Sequence, residues 1–185
     1  MLEEIVSYLE KGKTDSSAIP KSEVMRWIAS NDPEVIGAAY VLLVDTAFVD
    51  RIVPVPSFDE IFEFFLRYYE FCLTSDPQGE WVDDRFTAGC DFVRIFVSYW
   101  DERLDERYFV AMKSLLRRLY LEGSPDLRQT ILQAIVEHLF EKEPIHRFFA
   151  DWRDDPQLRQ AFTEGSEWAA GRARRAIQNK TESWL

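Results

Sequence analysis

Two cysteines and two histidines are all that 185 residues offer as soft or titrating metal ligands. Cys72 and Cys90 are too few for a disulfide framework and fit reduced thiols inside helices, where each reads as a small core hydrophobe. His138 and His146 supply no zinc spacing. His138 and Glu141 stand three apart, but di-iron bundles need Glu followed by His, contributed several times over. The His138-Glu141 pair has the reverse order, so neither a metal nor any other cofactor is expected. Seven glycines and eight prolines are too few for a many-turned β-sandwich, and the glycines stand singly, so no phosphate-cradling loop is present. There is no G-x-S-x-G elbow. Acidic doublets such as Asp83-Asp84 and Asp154-Asp155 diverge on a helix, and none makes a catalytic dyad. The chain reads as not an enzyme. No apolar run approaches the roughly 20 residues of a membrane span. The start, MLEEIVSYLEK, carries three glutamates where a secretory signal needs basic residues. A cytoplasmic location is the expectation.

What the sequence does have is hydrophobic and aromatic mass: 46% hydrophobic residues, with 14 Phe, 7 Tyr and 6 Trp. That supply predicts a folded chain, and its period is helical nearly everywhere. Helices are expected at about 2–11, 20–30, 33–51, 57–74, 81–102, 104–122, 125–142, 143–152 and 156–179, with no strand. Short linkers make successive helices antiparallel neighbours. The expected fold class is all-α, a single domain over 1–185 built as an irregular stack of antiparallel helical hairpins. Three starts share one layout: Asp32-Pro33-Glu34, Ser124-Pro125-Asp126 and Asp155-Pro156-Gln157. Each sets a capping side chain before a proline whose missing N–H costs nothing. Ser57 with Glu60 suggests a capping box.

Segment 57–74 (SFDEIFEFFLRYYEFCLT) is apolar around most of its circumference, which predicts the most buried, central helix. In the next helix Phe86, Cys90, Val93, Val97 and Trp100 follow core spacing. Tyr108, Met112, Leu115 and Leu119 do so in 104–122, and Leu127, Ile131, Ile135 and Leu139 in 125–142.

The net charge of −11 is unevenly spread. Residues 57–110 hold 13 acidic and 5 basic side chains, a net of −8, whereas 111–185 is close to neutral. Such a surface repels phosphate backbones and anionic lipid, so nucleic acid and membrane are both excluded as partners. A basic protein is the partner it fits, with Asp59, Glu60, Glu63, Asp84, Asp91 and Asp101 as candidate contacts. Cations crowding the last helix, Arg172, Arg174, Arg175 and Lys180, suit the negative end of its dipole.

The stretches DPEVIGAAYVLL, SPDLRQTILQAI and DPQLRQAF resemble the second-helix pattern of HEAT-type α-solenoid repeats. Their offsets of 92 and 31 residues share no period, which argues against a regular solenoid. The segment LQAIVEHLFEKEPIHRFFADWRDDPQLRQAFTEGSEW, Leu132 to Trp168, resembles small bacterial immunity proteins that accompany secreted polymorphic toxins. That resemblance implies an acidic, non-enzymatic helical inhibitor of one cognate toxin, and assigns no contact residue. The alternative function is a helical scaffold or adaptor subunit of a larger complex.

Overall fold

The computed structural model describes residues 1–12, 16–80 and 82–182, with the side chains of residues 173 and 176–182 set aside. The Lys180 side chain and the chain end at Trp184-Leu185 therefore lie outside the described residues. The fold is all-α, as the period predicts. Its helices gather into two compact units, Met1–Asp84 and Arg85–Leu185. No described helix is long and apolar enough to cross a membrane.

The first unit comprises α1 (Leu2–Lys11), α2 (Lys21–Ile28), α3 (Pro33–Val44), α4 (Thr46–Val49) and α5 (Phe58–Thr74). Asp32 caps α3 as the motif predicts, accepting from the N–H groups of Glu34 at 3.0 Å and Val35 at 3.5 Å. Past Glu34, α3 carries no charged side chain. It buries Val35, Ile36, Gly37, Ala39, Tyr40, Leu42 and Leu43 and touches α1, α2, α4 and α5. The central helix of this unit is thus α3, a correction to the expectation for 57–74. The acidic edge of α5 keeps one side in solvent. Its core face is Phe64, Phe65, Tyr68, Tyr69, Cys72 and Leu73, while Phe58, Ile61 and Phe62 are half-buried.

Tyr40 of α3 and Tyr68 of α5 stack with centroids 3.6 Å apart, and the Tyr40 and Tyr69 hydroxyls meet at 2.8 Å. These aromatic contacts join the two helices while leaving no buried hydroxyl among them unpaired. The unit also holds a pair of strands, where the sequence predicts none. Strands β1 (Ile19–Pro20) and β2 (Ile52–Val53) pair in parallel, two residues each, too short to show any alternation. Arg51 fastens this corner: its guanidinium donates to the carbonyls of Ser17 (3.0 Å) and Gly12 (3.2 Å) and to Ser17 Oγ (3.2 Å).

The second unit comprises α6 (Arg85–Asp101), α7 (Glu106–Glu122), α8 (Pro125–Thr130), α9 (Glu137–Leu139), α10 (Glu143–Phe148), α11 (Asp151–Asp154) and α12 (Arg159–Glu182). The expected core stripe of segment 125–142, Leu127, Ile131, Ile135 and Leu139, is buried. Between α8 and α9, however, Ile131–Val136 winds as a π-helix, every residue of it buried except Gln133. It touches α6, α8, α9 and α12. Two glycines let neighbours close on it. A Cβ on Gly89 of α6 would lie 2.8 Å from Ala134 Cβ, and one on Gly165 of α12 would lie 2.7 Å from Val136 Cγ1.

That close approach explains why α6 is rotated from its predicted register. Its buried face is Ala88, Gly89, Phe92, Ile95 and Phe96. Phe86 is 52% exposed and Cys90 is exposed, so the stripe 86–90–93–97 is the outer, half-open face. The small residues Ala88 and Gly89, not the large apolar ones, mark the contact. Cys72 alone is the core thiol, and burial pushes it up to about 12.

Candidate functional site

The division between the units also divides the charge. Seventeen acidic and six basic residues precede Arg85, a net of −11, whereas the 16 of each sign that follow cancel. The acidic excess is therefore a property of the whole first unit rather than of 57–110.

The six candidate contacts are split by the same boundary. Asp59, Glu60 and Glu63 lie on α5 and Asp84 closes the first unit, while Asp91 and Asp101 lie on α6 of the second. Three of them have internal work. Glu60 Oε2 accepts from the Ser57 N–H at 2.8 Å, forming its half of the predicted capping box, and its other oxygen pairs with Lys21 Nζ at 2.6 Å. The Lys21 hydrogen bond and the Ser57 N–H together hold its carboxyl down at about 2. Asp91 pairs with Arg94 and Asp101 with Lys142, each at 2.5 Å. Asp59 and Asp84 have contacts of their own. Glu63 is exposed and has no hydrogen bond or ion pair among the described residues.

Glu34 and Glu80 are exposed and equally unpaired, which sequence spacing alone could not reveal. Both line a cleft of about 430 Å³ whose floor includes Gly37, Ala38 and Val41. Asp83, on the same wall, accepts the Tyr68 hydroxyl at 2.7 Å. Burial and the neighbouring carboxylate push that phenol well above its usual range. The loop carrying Glu80 is anchored by Asp76, 5% exposed, whose carboxylate accepts from the N–H groups of Glu80 (2.8 Å) and Val82 (3.0 Å).

In the second unit the structure assembles an arrangement that spacing did not reveal. Ser166 Oγ lies 2.9 Å from His146 Nε2, and Glu143 Oε2 lies 3.7 Å from His146 Nδ1. The order of groups is that of a nucleophile, a base and an orienting acid, but the bonding is wrong for attack. Ser166 donates its proton to the Phe162 carbonyl at 2.6 Å, so it accepts from the imidazole instead of giving to it. It also sits inside α12, where backbone N–H groups are committed to the helix and cannot form an oxyanion hole. The ring of His146 is stacked on Phe162 at 4.9 Å and lies 4.8 Å from Phe140. The string is a tie between α10 and α12.

His138 fares differently. It faces a cleft of about 410 Å³ between α6 and the chain that runs from α9 to α12, lined by Cys90, Val93, Val97, Lys142 and Arg172 among others. Comparison with protein families, with curated proteins and with solved structures found no match to this chain.

Proposed function

We propose that this chain is a non-catalytic binding protein that recognises a basic protein through its acidic first unit, and that it acts as an immunity or inhibitor protein against a basic cognate toxin. The observation that carries the reading is the partition of charge: the entire net −11 precedes Arg85. A field concentrated on one unit steers a cationic partner to that unit and leaves the other free of long-range bias. The resemblance of Leu132 to Trp168 to immunity proteins supports the narrower half of the reading. Ser166 supports the absence of catalysis, because its proton is held by a helix carbonyl.

The test uses the residues that fold the chain least. Glu34→Lys, Glu63→Lys and Glu80→Lys together reverse three exposed carboxylates that have no partner within the described residues. Glu60 is left intact because it caps α5. The parent chain and the triple variant are used as bait in an extract of the source cell, and the retained protein is identified and purified. The expected partner is basic, is lost by the variant, and associates more slowly as salt rises. The Debye length falls from about 30 Å at 0.01 M to about 8 Å at 0.15 M over that range. An acidic or neutral partner, or an association rate indifferent to salt and to the three reversals, refutes the reading.

A further inference from the structure

The geometry points to a binding site in the second unit, independent of the acidic unit, for a carboxylate carried on a short aliphatic body. Its floor is the outer face of α6, where Cys90, Val93 and Val97 turn away from the core. Apolar groups left half-open at this spacing form a strip about 10 Å long, from the 1.5 Å rise per residue of a helix. Around that strip stand Arg94, Lys142, Arg172 and His138, with Glu141 the one acidic side chain of the wall among the described residues. The carboxylates that pair with Arg94 and Lys142, Asp91 and Asp101, are not part of the lining. The volume of about 410 Å³ falls in the range of small-molecule sites.

Arg172 is the anchor. Its guanidinium lies 5.2 Å over the ring of Trp168, and one Nη donates to Glu141 Oε1 at 2.7 Å. His138 Nδ1 lies 3.0 Å from the same carboxylate oxygen, and the imidazole packs edge-on against Trp168 at 4.9 Å. Stacking and the Glu141 bond thus fix the plane of the guanidinium. A guanidinium has five N–H donors in a rigid fork, so most remain for a planar carboxylate. Glu141 stays beside Arg172 and holds its guanidinium in place, so the choice of ligand falls to the apolar strip, which an inorganic anion cannot cover. The aliphatic body then covers Val93 and Val97 and removes their surface from water.

The probes are octanoate, octanol, inorganic phosphate and N-acetyl-leucyl-leucine, followed by the methyl resonances of Val93 and Val97 and by calorimetry. Octanoate should saturate one site and move both valines. The dipeptide arm separates a free acid from the carboxyl end of a peptide, and the tighter of the two identifies the source. Octanol and phosphate should each bind at least about tenfold more weakly, since each lacks half of the recognition. Arg172 is 52% exposed, so Arg172→Ala should keep the fold and weaken octanoate at least about tenfold, with partial recovery in Arg172→Lys. Val97→Glu, which puts an acid on the floor, should abolish binding while thermal unfolding stays cooperative. Failure of both carboxylates to move the valines overturns the proposal. So does equal binding of octanol or phosphate, or full affinity in Arg172→Ala.

Discussion

Gly89→Ala adds one methyl group where α6 lies against the π-helical stretch. That carbon would stand 2.8 Å from Ala134 Cβ and 3.3 Å from Ile135 Cγ1. Carbon atoms pack best at about 3.5–4.0 Å, so the first contact is short by about 0.7 Å or more. Ile135 can turn about its side-chain bonds, but Ala134 Cβ is fixed to its backbone. The two helical segments must therefore move apart, which loosens Phe92 and Ile95 along the same face. Overpacking of this kind costs about 1–3 kcal/mol, against a gain of about 1 kcal/mol from replacing glycine inside a helix.

The single variant is therefore a weak test, and the decisive quantity is a coupling. Ala134→Gly removes the opposing methyl and costs helix propensity by itself. Combined with Gly89→Ala it only transfers a methyl from one helix to the other. The four proteins of the cycle, unfolded in urea, should show a coupling of about 1–3 kcal/mol, because the clash exists only when both methyls are present. Additivity within about 0.5 kcal/mol would mean that α6 and Ile131–Val136 do not touch at this point.

Two further outcomes follow from other places in the fold. Asp76→Ala removes the acceptor of two loop N–H groups from a side chain that is 5% exposed, and should cost on the order of 3 kcal/mol in urea unfolding. A loss below about 1 kcal/mol would mean that water replaces the carboxylate. Glu60 is held at about 2 against a usual 4.5, so its contribution is complete above 4.5 and is lost as pH falls toward 2. Glu60→Gln keeps an acceptor for Ser57 but not the charge facing Lys21. The stability gap between parent and variant should be constant at neutral pH and close between about pH 4.5 and 2, and a pH-independent gap would sink the assignment.

The helical period in the sequence was sufficient to place the long helices to within a few residues, and three predicted starting caps form. Asp32, Ser124 and Asp155 all accept backbone N–H groups as their motifs predict, from Glu34, Leu127 and Gln157 at 3.0, 3.2 and 2.9 Å. Where the reading failed, the cause was size. Phe86 and Cys90 were assigned to the core because they are apolar at the right spacing, yet the interior of α6 is set by Ala88 and Gly89, which add little hydrophobic signal but allow close approach. The same blindness hid Gly165 against Val136. The pairing of Ile19 with Ile52 depends on Arg51 bonding to Gly12 and Ser17, contacts 39 and 34 residues distant that no local pattern encodes. Candidate contacts were legible only as charges. Position on an outer helix face was right for Glu63, but nothing in the sequence says that Lys21 meets Glu60 or that Lys142 meets Asp101.

That last point changes how an acidic surface should be read. Net charge is a sum over the chain, whereas recognition depends on which charges have no internal partner. A carboxylate already paired with a cation at 2.5–2.6 Å, as Glu60, Asp91 and Asp101 are, adds little to the distant field because its partner cancels it. Making it available to another molecule first requires breaking the internal pair. Reversing such a residue changes the net charge by as much as reversing an unpaired one, but it also breaks an internal pair, so its effect on association mixes the field with the local structure. Glu34, Glu63 and Glu80, whose carboxylates have no partner among the described residues, are in the opposite position, because reversing them breaks no internal pair seen there. A rate of association that responds to these three and not to Asp91 or Asp101 would locate recognition in residues 1–84. The reverse pattern would place it on the balanced charges of the second unit.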